Sequence, residues 1–194
     1  MPSRTYLIVH GWQASGPGHW QTWLADRLQE ANESVLYPLL PTPDIPVLDE
    51  WIEALHEQVS LLKGEKIVVC HSLGAVTWLH YATTPYASSV DRLLMVAPPC
   101  PPALARIPEL RGFAPVPLDA LALSRSASEC RMVCSSGDEY CEVSAAIAYA
   151  KPLGIEIDLL PAAAGHINIA SGFGPWPRME EWCYDSTIRF SEPH

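Results

Sequence analysis

The sequence predicts an α/β protein, a three-layer α/β/α sandwich built on a mostly parallel sheet. Two observations carry this. Short apolar runs of strand length alternate with segments of helical periodicity along the chain, the pattern of parallel strands joined by crossover helices. The strand-like runs, such as Ile67-Val68-Val69, are continuously apolar, as strands covered on both faces require. A length of 194 residues, with 48% hydrophobic and 18% charged residues, suits one domain over residues 1–194 with a sizeable core.

The elements follow in order. Tyr6 to Val9 is an apolar run ending at His10-Gly11. From His19 to Ala31, Trp20, Trp23, Leu24 and Leu28 recur at helical spacing. Val35-Leu36-Tyr37 is a short strand closed by Pro38. Pro46 suits a first helical turn, and the stripe Val47, Trp51, Ile52, Leu55, Val59 and Leu62 follows until Gly64 stops it. Lys66 to Val69 reads as a strand and Ala75 to Ala82 as a helix, with Arg92 to Ala97 the next strand. Seven prolines between Pro98 and Pro117 exclude one long helix or a central strand there. Met132 to Cys134 as strand, Ser144 to Ala150 as helix and Ile155 to Leu160 as strand restore the alternation. A last helix is expected from Met179 to Phe190.

Charge and composition exclude several classes. A net charge of −10 opposes nucleic-acid binding, which needs clustered Lys and Arg. No stretch approaches transmembrane length, so no membrane partner is expected. The apolar run after Met1-Pro2-Ser3-Arg4 is too short for a secretory signal, and a cytoplasmic location with six reduced cysteines is the expectation. Cys130, Cys134 and Cys141 lack the paired spacing of a zinc site, and no metal is expected.

The segment Cys70-His71-Ser72-Leu73-Gly74 joins the strand ending at Val69 to the following helix. Strand, sharp turn with serine at its tip, then helix is the context of a nucleophile elbow, here x-H-S-x-G. The plainer alternative makes Ser72 a helix N-cap. A serine nucleophile needs a base. His166, in the loop after the last strand, can reach back over the sheet. His71 points away from its neighbour, His56 and His80 lie within helices, and His194 is terminal. Asp138, just past Met132 to Ser135, is placed to orient the imidazole, with Glu139, Glu142 and Asp119 as rivals. The oxyanion donors expected are the backbone amides of Leu73 and Trp12.

These residues resemble the α/β-hydrolase superfamily, and more narrowly the small serine-hydrolase family that includes retinoblastoma-binding protein 9 and YdeN-like proteins. The resemblance spans most of the chain. It rests on His19-Trp20 with Trp23, His71-Ser72-Leu73-Gly74, Ser135 to Asp138, and Gly165-His166-Ile167-Asn168 followed by Ser171-Gly172-Phe173-Gly174-Pro175-Trp176-Pro177. It implies a minimal, nearly lidless α/β-hydrolase fold and a triad of Ser72, Asp138 and His166. It further implies hydrolysis of a small-molecule acyl ester, or of an amide or thioester, with no cofactor. Cys70 stands where the family's elbow carries glycine, and Glu139 where proline often follows the acid. No cysteine lies in an L-x-C-x-E pattern, so binding of retinoblastoma-type partners is unsupported. Trp12, Phe173 and Trp176 are candidates for an apolar acyl pocket. An idle, protein-binding member of the fold is the alternative from another class.

Overall fold

In the computed structural model, which describes residues 3–191, the apolar runs become strands β1 (Arg4–Val9), β2 (Ser34–Leu36), β3 (Glu65–His71), β4 (Val90–Val96), β5 (Ala127–Ser135) and β6 (Glu156–Leu160). They form a parallel sheet in the order β2-β1-β3-β4-β5-β6. The order reverses direction at β1, so the crevice beside β1 and β3 lies at the topological switch point where such sheets place their sites. Helices α1 (Trp20–Glu30), α2 (Leu48–Leu61), α3 (Leu73–Ala82), α4 (Pro101–Arg106), α5 (Ala120–Ser126), α6 (Val143–Leu153) and α7 (Pro177–Tyr184) connect or follow the strands.

Both faces of the sheet are covered, which explains the continuous apolar runs. Because side chains alternate along a strand, Leu7, Val9, Val68, Cys70, Leu93, Met95 and Met132 pack against α2, α3 and α6. Tyr6, Ile8, Ile67, Val69, Leu94, Val96 and Val133 face Trp20, Leu24, Leu28, Met179 and Trp182 of α1 and α7. Most of these strand side chains are wholly buried, so hydrophobic burial on two faces drives the sheet's formation. Among the described residues no helix is long and apolar enough to cross a membrane.

The structure fills in the proline-rich stretch and departs from expectation in two other places. The proline-rich stretch is ordered as α4 and a 3₁₀ turn at Pro108–Phe113, each beginning with proline, where the missing N–H costs nothing. Helix α5 had no clear apolar signal, yet Asp119 caps it by accepting from the Ala122 amide at 2.9 Å. The last helix ends at Tyr184 and does not reach Phe190. Asp185 takes both the amide and the hydroxyl of Thr187, at 2.9 and 2.7 Å, and that local turn competes with further helix. His194 lies outside the described residues.

The start of α3 is pressed onto the end of β1. A Cβ on Gly74 would fall 2.5 Å from the His10 carbonyl oxygen and 2.9 Å from that of Val9, both backbone atoms that cannot swing aside. Gly74→Ala is therefore expected to destabilise the fold by about 1–3 kcal/mol, the usual cost of overpacking. Thermal denaturation checks it, with a fall in Tm of several degrees expected.

Candidate active site

Ser72 occupies the single residue between β3 and α3 with φ +52° and ψ −121°, a conformation costly for a residue with a Cβ. It is held there by its own amide, which donates to the Val96 carbonyl at 2.8 Å and so ties the turn to β4. Cys70, larger than glycine, is no obstacle. Its side chain is buried in the core with α2 and α3, and the tightest approach of strand and helix falls on Gly74 instead.

The structure brings Ser72, His166 and Asp138 together. Nε2 of His166 lies 2.9 Å from the Ser72 Oγ, and Nδ1 lies 2.9 Å from each carboxylate oxygen of Asp138. A carboxylate only accepts, so Nδ1 carries the proton and the bare Nε2 accepts from the serine hydroxyl. Asp138 follows β5 in a turn where its Oδ1 also accepts the Tyr140 amide at 2.9 Å. The Ser135 hydroxyl oxygen accepts from the Gly137 amide at 3.1 Å. Gly137 lets this turn meet the loop that carries His166, since a Cβ there would sit 2.2 Å from the Ala162 carbonyl oxygen.

The His166 loop is itself tightly fixed. Ile167 has φ +52°, an outlier for a β-branched residue. Its carbonyl accepts from the Trp20 indole at 2.9 Å. The His166 carbonyl accepts from Nε2 of His71 at 3.1 Å, and the Tyr140 ring packs 4.6 Å from the His166 ring. His71 is thus a partner of the His166 backbone. Sequence reasoning removed it as a base but had no signal for this contact, or for the anchoring indole of Trp20.

Beyond β1, His10 is clamped between two backbone groups. Its Nδ1–H donates to the Gly11 carbonyl at 2.7 Å and its Nε2 accepts the Leu40 amide at 2.8 Å. Burial lowers its pKa, which favours this neutral form. In a trans peptide the carbonyl and the next N–H point opposite ways, so fixing the Gly11 carbonyl fixes the Trp12 amide. The Trp12 indole donates to the Asp44 carbonyl at 2.9 Å. The Leu73 amide opens α3 and belongs to the first-turn donors that no helical carbonyl satisfies.

A cleft of about 330 Å³ opens over these groups, lined among others by Trp12, His19, Ser72, Tyr140, His166 and Asn168. None of its lining residues is Lys, Arg, Asp or Glu. Of the three aromatic pocket candidates, Trp12 lines the cleft whereas Phe173 and Trp176 do not. Trp176 instead packs edge-on against Trp20 and Phe173, at 5.3 and 4.9 Å, because the turn before α7 folds those rings into the core. The rival groups lie elsewhere. Asp119 caps α5, and among the described residues neither Glu139 nor Glu142 bonds His166. His56 meets Tyr86 edge-on, and Nε2 of His80 donates to the Phe113 carbonyl. No group of three or more His, Cys, Asp or Glu among the described residues is arranged to hold a metal ion.

Two further imidazoles crowd the site. His19 caps α1, its Nδ1 accepting from the Gln21 amide at 3.1 Å. Burial, then the proximity of His166, lowers its pKa to about 4. His71 is held well below the ordinary histidine value by burial, then by His166 and His19.

A six-stranded parallel sheet with a serine, an imidazole and a carboxylate in series at its C-terminal edge is the architecture of an α/β hydrolase. A family model for serine hydrolases matches residues 6–184, and the chain belongs to that family of hydrolases. It is 30% identical over 79 residues to YdeN of Bacillus subtilis (strain 168), a protein assigned as a hydrolase. That match spans 41% of this chain and 42% of YdeN, less than half of the relative's length. The crystal structure of the B. subtilis ydeN product is similar over 95% of this chain and 99% of that one, with TM-score 0.83 and 22% identity. A YdeN-like structure from Pectobacterium atrosepticum gives 0.75 and 22%, covering 96% and 92%. Est1E from Butyrivibrio proteoclasticus gives 0.68 at 12% identity over 96% and 89%.

The lowered histidines set a pH dependence of stability. A depressed folded-state pKa means that the unfolded chain takes up the proton first, so stability is full above the unfolded value and is lost as pH falls. For His19 the window runs from 6.5 down to about 4, and His71 acts in the same direction. Tm is expected to fall as pH drops across this window, and His19→Asn to flatten the slope, read by calorimetry at constant ionic strength.

Proposed function

We propose that this chain is a carboxylesterase acting on small or medium acyl esters through an acyl-enzyme. The observation that carries the reading is the unbroken series Ser72, His166, Asp138 with every contact at 2.9 Å. His166 takes the Ser72 proton as Oγ attacks the ester carbonyl. The amides of Leu73 and Trp12 stabilise the oxyanion. His166 then gives its proton to the departing alkoxide, leaving Ser72 acylated. Water, deprotonated by the same Nε2, attacks the acyl carbonyl and releases the carboxylic acid and free serine. Asp138 holds the productive tautomer and stabilises the imidazolium throughout. The uncharged cleft supports neutral acyl groups over charged ones, since nothing in its lining would pair with a buried charge. The same chemistry applies to thioesters and activated amides, which differ only in leaving group.

The native protein is expected to be labelled by a fluorophosphonate probe and Ser72→Ala to remain unlabelled; labelling that survives the substitution removes Ser72 as the nucleophile. His166→Ala and Asp138→Asn are each expected to lower kcat by roughly 10³–10⁴ against p-nitrophenyl esters, as triad members act as a unit. A panel of ester, thioester and amide substrates of increasing acyl length, scored by kcat/KM, ranks the substrate classes.

A further inference from the structure

Two imidazole nitrogens beside Ser72 are left over by the proposed chemistry. His19 uses Nδ1 to accept the Gln21 amide, so in its neutral form the proton is on Nε2. His71 must carry its proton on Nε2, because that atom bonds the His166 carbonyl and a carbonyl cannot donate. One N–H of His19 and one bare Nδ1 of His71 therefore remain. Neither has a hydrogen-bond partner among the described residues. Both residues are about nineteen-twentieths buried, at 5% and 4% exposure.

These atoms are nonetheless not sealed in protein. Among the described residues, the fully enclosed side-chain nitrogens and oxygens that lack a partner are His56 Nδ1 and Arg92 Nε. Neither free nitrogen of His19 or His71 is among these, so each keeps some accessible surface, and both residues line the cleft. Their ring centres are 5.1 Å apart, and the His71 ring is 5.2 Å from that of His166. A ring with a free donor and a ring with a free acceptor are thus neighbours, and the second of them also neighbours the catalytic imidazole proposed above.

We infer that His19 and His71 form a subsite for a hydroxyl group carried by the ester substrate near its scissile carbonyl. A hydroxyl oxygen accepts and donates through one atom, and so satisfies both nitrogens at once. A carboxylate offers no donor for Nδ1 of His71, and an ammonium offers no acceptor for Nε2–H of His19. The uncharged lining of the cleft excludes both ions further. An alkyl group at the same place leaves two buried polar atoms unpaired, which is how polar sites reject analogues that lack the hydroxyl. Burial keeps both rings neutral, so the donor and acceptor persist at neutral pH. The subsite rests on the esterase reading and assigns the substrate class within it: hydroxyacyl esters or esters of polyols.

The test compares kcat/KM for two ester pairs, methyl β-hydroxybutyrate against methyl butyrate and glyceryl monobutyrate against propyl butyrate. The first pair places the hydroxyl on the acyl side and the second on the alcohol side. The native enzyme is expected to favour the hydroxylated member of one pair by about tenfold or more, a conservative figure for a polar subsite. His19→Asn keeps an acceptor for the helix cap but is too short to present the donor, and it is expected to bring that ratio down to about one. The ratio, unlike the absolute rate, is not moved by general damage to the fold. Ratios near one for both pairs in the native enzyme overturn the subsite while leaving an esterase in place. A preference that persists in His19→Asn overturns the assignment to His19. Failure to cleave any of the four esters, together with no fluorophosphonate labelling, overturns the esterase reading and the subsite with it.

Discussion

A hydrogen bond of 2.9 Å from the Ser72 hydroxyl to His166 joins groups 94 positions apart in the chain, and much of the structure is organised around keeping it. Each end stands in unfavourable backbone geometry, Ser72 at φ +52° and Ile167, next to His166, also at +52°. Strain of this kind persists only where surrounding structure over-determines the conformation. At the serine that structure is the bond to Val96 on β4 and the close seat of α3 on β1. At the histidine it is the Trp20 indole and the His71 ring, which grip two successive carbonyls.

The electrostatic consequence is a division of labour among neighbouring imidazoles. His10, His19 and His71 are each lowered in pKa chiefly by burial, so they serve as fixed neutral dipoles. His166 differs in facing a carboxylate, with Asp138 bonded to its Nδ1. In the proposed cycle a single positive charge forms in this crowded region, and it forms beside that carboxylate. A second cation on His71 or His19 would oppose it. Burying those two rings removes that opposition and leaves their polar atoms available for binding.

The layout was legible in the sequence where a residue's position along a strand decides its place in space. Parallel strands put Ser72, Asp138 and the His166 loop at the C-terminal end of the sheet, so strand ends and chain order were enough to expect that these segments meet. The continuous apolar runs likewise announced a sheet buried on both faces. Features set by tertiary contact were not legible. Helix α5 depends on a cap at Asp119, and α7 stops where Asp185 bonds Thr187. Phe173 and Trp176 sit close in sequence to a site loop, yet Trp176 turns into the core against Trp20 and Phe173 packs on Trp176. The contacts of His71 and His19 required coordinates, because spacing does not reveal which ring nitrogen meets which backbone group.

The most direct measurement is mass spectrometry of the protein quenched during turnover of an activated acetyl ester, followed by peptide mapping. One acetyl group per chain is expected, attached to the peptide that contains Ser72 and lost at the rate of the deacylation step. Turnover with no acetylated intermediate, or with the acetyl group on a different residue, would contradict it.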